Sequence, residues 1–326
     1  MPTPLLIGAG SGLVSAALFG SAATAPAIAG LLLYLAPLPL CLAGLGWGSA
    51  AAAAGALSGT LAIALLLGLP AAAVFALAIG IPIATLCYLI LLSRAPLAAE
   101  GATLGPGTHG PVEWYPPGRL IGWAAMIAGA LAALVVLYLG YDQETYRASI
   151  KAALEHSALK EFDRDGILTE ENIANLTVVL ARALPAAIAA IWLCISLFNL
   201  WMGGLIVQAS GRALRPWPQL DAIDLPNLFF IVFAVSLVLS FIPGLIGLVA
   251  TGFAGAMLFA FVMQGLAVLH VYTRGVPFRG LLLAAVYLGI FLLGWVALAV
   301  AILGLSEPML RLRERAAGRG QPPSND

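Results

Sequence analysis

Residues 161–172, EFDRDGILTEEN, carry the densest set of oxygen ligands in a chain that otherwise has very little charge. A twelve-residue calcium loop needs oxygen ligands at positions 1, 3 and 5, glycine at 6 and a bidentate glutamate at 12. Placing Gly166 at position 6 puts Asp163 and Asp165 at 3 and 5, and Leu168 at the aliphatic position 8. Position 1 then falls to Glu161 and position 12 to Asn172, which cannot chelate through two oxygens; Glu171 comes one residue early. Two ligand positions fail, so the stretch reads as a turn. Asp142 to Phe162 reads as a helix with Asp142 as N-cap and Glu144 in its first turn. Its apolar stripe is Tyr146, Ile150, Leu154, Ala158 and Phe162. Gly166 is expected to end that helix, and Thr169 to cap the next. No metal or cofactor is assigned.

Polar side chains inside apolar runs are the next candidates, because they are costly in hydrocarbon and gather at ligand and ion pathways. Arg182, Asn199, Gln208, Gln264 and His270 form this set of ligand or pore-lining candidates. Each also has a structural reading: Arg182 can snorkel, His270 can cap a helix end, and the amides can bridge helices. LAPLPL adds Pro37 and Pro39, whose missing N–H groups free backbone carbonyls within a span. Hydrolase signatures are absent: no HExxH occurs, and Ser11 in AGSG and Ser210 in QASG do not make a G-x-S-G element. The expectation is a protein that is not an enzyme.

Two loops share aromatic, basic and proline residues. VEWYPPGRL contains Glu113, Trp114, Tyr115 and Arg119, and GRALRPWPQL contains Arg215 and Trp217. These residues suit an interfacial belt, and they are also the candidate cytoplasmic docking surface. Gly8, Gly12, Ala16 and Gly20 step by four, a ridge of small residues that lets another helix approach closely. That neighbour is either another part of the chain or a membrane-protein partner.

Such residues need positioning elements, and composition decides which kind. The chain has 326 residues, 62% hydrophobic and 9% charged, with a mean hydropathy of +1.02. Soluble domains carry about 25% charged residues. Apolar runs near twenty residues without dyad alternation require an all-α, polytopic transmembrane bundle in a lipid bilayer. Candidate spans are 5–23, 26–45, 50–68, 70–92, 119–140, 177–207, 226–248, 250–271 and 279–304, about eight to nine in all. Residues 1–305 read as one transmembrane domain with an amphipathic helical hairpin inserted at 141–176. Residues 306–326 read as a disordered, Arg-rich tail. Fifteen basic residues balance fifteen acidic ones without a basic stripe, so nucleic acid is not an expected partner. Cys41, Cys87 and Cys194 lie far apart in apolar runs and read as small hydrophobes.

The basic residues of the short loops, Arg94 with Arg119, Arg212 with Arg215, and Arg274 with Arg279, fall on one side under this count. The positive-inside rule makes that side cytoplasmic and the acidic insert periplasmic. Nine crossings would leave the Arg-rich tail outside. Either the tail is tolerated there, or 279–304, interrupted by Gly289 and Gly294, does not cross simply.

LAPLPL, VEWYPPGRL, RPWP and MQGLAVLHVYTRG occur in an order that resembles the YybS-like family of bacterial membrane proteins, a domain-of-unknown-function family. The resemblance covers most of the chain and implies a multi-pass inner-membrane protein without implying an activity. The first six spans are more distantly similar to substrate-capturing S-components of energy-coupling-factor transporters. That likeness implies a partner docked on Gly8, Gly12, Ala16 and Gly20, and small-molecule capture from the outer side. The alternative is a membrane scaffold acting through the two aromatic-basic loops.

Overall fold

The computed structural model describes residues 3–21, 26–94, 112–156, 169–313 and 315, with the backbone alone at 26–29. They form α1 (Thr3–Gly20), α2 (Pro26–Leu35), α3 (Leu38–Trp47), α4 (Ser49–Leu67), α5 (Leu69–Phe75) and α6 (Ile81–Leu91). A two-residue ribbon follows, β1 (Ser93–Arg94) with β2 (Glu113–Trp114), then α7 (Pro117–Leu139), α8 (Gln143–Glu155) and α9 (Glu170–Ala209). The chain ends with α10 (Asn227–Leu239), α11 (Leu245–Tyr272), α12 (Arg279–Leu293) and α13 (Trp295–Leu310). Among the described residues, seven helical segments are long and apolar enough to cross a membrane. The all-α membrane architecture is therefore as expected. Contacts divide the chain into two units, Met1–Leu120 with Cys194–Gln219, and Ile121–Leu193 with Leu220–Asp326.

In the first unit, the glycine ridge of α1 lies against α4. A β-carbon at Gly8 would strike the Ala51 carbonyl, and one at Gly12 would strike the Gly55 carbonyl. Ser58 Oγ donates to the Ala9 carbonyl at 2.9 Å across the same seam. Gly8, Gly12 and the buried Ala16 thus serve the chain's own helix packing, while Gly20 only touches Leu67. Of the two neighbours the ridge allowed, the described residues show the chain's own α4.

Pro37 and Pro39 split the second span into α2 and α3, as their missing N–H groups require. Side chains close the gap: Asn199 Nδ2 donates to the Tyr34 carbonyl at 2.7 Å and Ser15 Oγ to the Ala36 carbonyl at 2.6 Å. Pro82 cannot donate to Ala78, and the fourth span widens into a π-turn over Ala76–Gly80 with Ile81 N–H bonded to the Ala76 carbonyl.

In the second unit, the insert begins as the sequence dictates. Asp142 Oδ1 accepts the Thr145 N–H at 2.7 Å. That bond holds the Asp142 carboxyl below its usual range, so the cap is present at neutral pH and is lost as pH falls through the lowered pKa. Tyr146 and Ile150 are buried against Val136, Ala181 and Leu248, with Leu154 partly buried beside them. The helix closes at Glu155 with His156 at its C-cap; Ala158 and Phe162 of the expected stripe lie outside the described residues. Asp163, Asp165 and Gly166 lie outside the described residues. Thr169 does cap the next helix, its Oγ1 accepting the Asn172 N–H at 3.3 Å.

Two expected spans are corrected. Run 226–248 is not one helix: α10 has 13 residues, and a turn at 240–244 follows, ending at Gly244 with φ 93°. Run 279–304 is also two helices, broken at Gly294 with φ 47°. α12 and α13 have 15 and 16 residues, about 22–24 Å at 1.5 Å per residue, against a hydrocarbon core of about 30 Å. Both outer ends of this pair lie at the C-terminal end of α11. At the start of α12, Arg279 donates to the His270 carbonyl and to Thr273 Oγ1, each at 3.3 Å. Beyond α13, Arg313 meets Asp224 at 2.8 Å and the Asp221 and Ile223 carbonyls at 2.9 Å, while Arg274 pairs with Asp221. The pair runs away from that end of α11 and back, which brings Arg313 beside Arg274 at Asp221. Ser306–Leu310 belongs to α13, and Glu307 within it is buried; residues 314 and 316–326 lie outside the described residues.

Candidate functional site

A cleft of about 250 Å³ lies at the opposite end of α11, beneath the insert. α11 runs from Leu245 to Tyr272 and lines the cleft as far as Thr251, so about 32 Å of helix separates the cleft from the Arg274 cluster. Four elements build it. α8 supplies Gln143, Tyr146 and Arg147; α9 supplies Val178, Ala181 and Arg182; the turn supplies Ser240 to Gly244; and α11 supplies Gly247, Leu248 and Thr251.

One hydrogen bond sets the register of the two arginines. Tyr146 Oη donates to the Ala181 carbonyl at 3.1 Å, inside the apolar cluster that seats the insert. Burial pushes the Tyr146 phenol up to about 12, so it stays a donor at physiological pH. Arg147 and Arg182 are the residues next in sequence to this clamped pair, and both line the cleft. The turn is equally constrained. Gly247 passes directly under the Ile242 carbonyl, where a β-carbon would clash. Ser240 N–H bonds the Ser236 carbonyl at 2.9 Å and Ile242 N–H the Leu239 carbonyl at 3.0 Å, finishing α10 cleanly.

The electrostatics are one-sided. Among the described residues, two arginines line the cleft and no acidic residue does; Glu144, one turn before Arg147, is not part of the wall. Among the described residues neither arginine forms an ion pair. The start of α11 adds first-turn N–H groups without intrahelical acceptors and the positive end of a long helix dipole. The hydroxyls are spent on backbone: Ser240 on Leu237 and Thr251 on Gly247, each at 2.7 Å, besides Tyr146 on Ala181. The wall therefore offers positive charge and apolar surface, without a base beside a free nucleophile.

Of the ligand candidates read from sequence, Arg182 alone lines this cleft. Gln264 is fully buried as a bridge: its Oε1 accepts the Leu225 N–H at 2.8 Å and its Nε2 donates to the Gly304 carbonyl at 2.9 Å. Asn199 closes the break before Pro37 and also donates to the Ile195 carbonyl at 2.8 Å. His270 bonds the Leu266 carbonyl at 2.9 Å at the end of α11 and meets the Tyr287 ring edge-on. Gln208 is exposed in the last turn of α9. Asn199 Nδ2 and both polar atoms of the Gln264 amide therefore bridge to backbone, while Asn199 Oδ1 is buried without a partner among the described residues.

The docking candidates meet within the first unit. Glu113 pairs with Arg94 at 2.7 Å across the ribbon. The Arg215 guanidinium sits 5.6 Å from the Trp114 ring centre and donates to the Ile90 carbonyl at 2.7 Å. Trp217 packs on Gly204. Tyr115 and Arg119 line a shallow cleft of about 220 Å³ beside Trp114. These side chains fasten the loops to their own unit. Sequence reasoning did not single out Arg147, and it missed Glu307, an acid in an apolar helix that could have flagged the α13 anchor. It also missed that Cys41 and Cys87, both buried, bring their thiols together.

Apolar helices of spanning length, a re-entering terminal pair and a seated polar insert describe an integral membrane protein, and the family comparison agrees. The family described as "Predicted membrane protein (DUF2232)" matches residues 13–306. The chain belongs to this family. No curated protein and no solved structure matches the chain. In this DUF2232 protein the matched range contains the whole cleft, from Gln143 to Thr251, and Gln264, but ends before Glu307.

Proposed function

We propose that this DUF2232 protein is a non-enzymatic, multi-pass protein of the bacterial inner membrane that captures a small molecule in the cleft beneath its insert. The observation that carries the reading is the pairing of Arg147 and Arg182 on a cavity whose described lining holds no carboxylate, walled by an insert helix that is itself seated in the core. Both arginines are exposed, and among the described residues neither has an ion-pair partner, so the described wall leaves both open to a ligand. The basic loops at the far end of α11 support an outward-facing cleft under the positive-inside rule.

A scaffold role through Glu113, Trp114, Tyr115, Arg119, Arg215 and Trp217 is less well supported. Glu113, Trp114, Arg215 and Trp217 already contact Arg94, one another or Gly204.

Capture is tested by melting purified full-length protein against a panel of small metabolites of both charges and of none. Val178→Trp serves as a blocked variant, because this half-exposed wall position fills the cleft without changing charge. The expected result is one compound class that raises the native melting temperature and has no effect on Val178→Trp. Equal shifts in both proteins would refute capture in the cleft.

A further inference from the structure

We infer that the group held in the cleft is a phosphomonoester, carried by a ligand whose remainder is apolar; this rests on the capture reading above. Arg147 and Arg182 face one cavity with Val178, Phe241, Ile242 and Leu248 as its apolar wall. An uncharged occupant would leave both guanidiniums without a counter-charge, and a carboxylate would balance only one. A phosphomonoester brings about 1.5 to 2 negative charges at neutral pH and three strong acceptor oxygens. The guanidinium fork matches those oxygens in geometry. The opening N–H groups of α11, beside Gly244 and Gly247, add donors suited to the same anion; the arginine pair carries the argument and the helix end adds to it.

Size and rim define the rest of the ligand. About 250 Å³ lies below the roughly 300–1,000 Å³ of sites that enclose a whole drug-sized molecule, so the cleft encloses a headgroup. Phe241 is 72% exposed, Val178 53% and Ile242 43%, so the apolar part of the lining is open beside the two exposed arginines. A dissolved phosphate ester and the headgroup of a monoester lipid share this chemistry.

The full-length protein is tested in phosphatidylcholine nanodiscs in two arms. One arm adds glycerol 3-phosphate against chloride at matched ionic strength. The other includes phosphatidic acid in the bilayer, with phosphatidylglycerol as the diester control. At least one arm is expected to raise the melting temperature, with phosphatidic acid exceeding phosphatidylglycerol. Arg147→Gln and Arg182→Gln are each expected to weaken binding roughly tenfold, as charged hydrogen bonds imply, and the double variant to abolish it. Both side chains are exposed, so the double variant keeps its melting temperature in chloride, and Arg182→Lys retains part of the response. A response only to phosphatidic acid assigns a lipid source; a response only to glycerol 3-phosphate assigns a soluble one. No response in either arm, or an equal response in the double variant, overturns the phosphate assignment. A phosphate-free compound that Val178→Trp excludes and the double variant still binds would overturn the assignment while capture stands. If no compound of any class binds, both fail.

Discussion

Gly265→Leu is expected to remove the folded protein. At this point α11 and α13 cross with backbone against backbone. A β-carbon at Gly265 meets the Val300 carbonyl, and one at Gly304 meets the Phe261 carbonyl and the Gly265 nitrogen. Overpacking a core ordinarily costs about 1–3 kcal/mol when side chains can shift. Here the obstacle is main chain, so relief requires the helices to separate. Separation would also strand Gln264, whose amide holds the Gly304 carbonyl. Against a total stability of roughly 5–15 kcal/mol, that loss leaves little folded material. Size-exclusion profiles in detergent should show aggregate in place of the native peak. Gly280→Leu is the control, because nothing lies within 4 Å of its built β-carbon; it should elute and melt as the native protein. A Gly265→Leu variant that does the same would show that the crossing is looser than described.

Glu307→Ala is expected to be the most destabilising removal of a single polar side chain. Glu307 Oε1 accepts from Arg313 Nε at 2.8 Å and from the Arg313 N–H at 3.2 Å, and Oε2 accepts the Leu312 N–H at 3.0 Å. The carboxylate side chain is 6% exposed and the guanidinium 18%. Taking away one partner of a buried pair costs about 3–5 kcal/mol when the other charge is left uncompensated; Arg313 keeps Asp224, so the loss here falls below that range and comes from the three contacts that Glu307 accepts. Arg313 also ties the chain end to Asp224 and to the Asp221 and Ile223 carbonyls, so its loosening frees the tail from the loop. Glu307→Gln should cost less, since one acceptor remains. Denaturation of the two single variants and the Glu307→Ala, Arg313→Ala double variant should give strongly non-additive losses. Additive, sub-kcal/mol losses would mean that the end of α13 is not anchored there.

The sequence made some of this legible and hid the rest for identifiable reasons. Membrane class followed from charge scarcity, and the insert's first helix from a cap and a four-residue stripe, because both signals are local. The turn at 240–244 was hidden because Phe241, Ile242 and Pro243 are as apolar as the helices they join. Hydropathy is blind to a bend made of hydrophobes. Pro243-Gly244 was the available clue, and Gly244 does adopt a positive φ. Gly294 was noticed as an interruption, and the charge conflict at the tail pointed to the return that α12 and α13 make.

For polar residues the difficulty is different. Composition identifies Asn199 and Gln264 as costly in hydrocarbon, but whether such a group meets a ligand or a free carbonyl is a tertiary fact. Both met carbonyls, one left by a proline break and one in α13. The Arg147–Arg182 pairing joins residues 35 positions apart through the Tyr146–Ala181 bond, which no spacing rule anticipates. The small-residue ridge of α1 had the right chemistry for close approach, and the neighbour turned out to be α4.

The insert cleft and Arg313 occupy opposite ends of α11. In a background with Cys41, Cys87 and Cys194 replaced by alanine, Glu144→Cys and Arg315→Cys offer exposed reporters at the two ends. Intact cells are treated with a membrane-impermeant maleimide, before and after permeabilisation. The predicted result is modification of the cysteine at 144 in intact cells and of the cysteine at 315 only after permeabilisation. Modification of both from the same side would contradict the returning helix pair and the outward-facing cleft together.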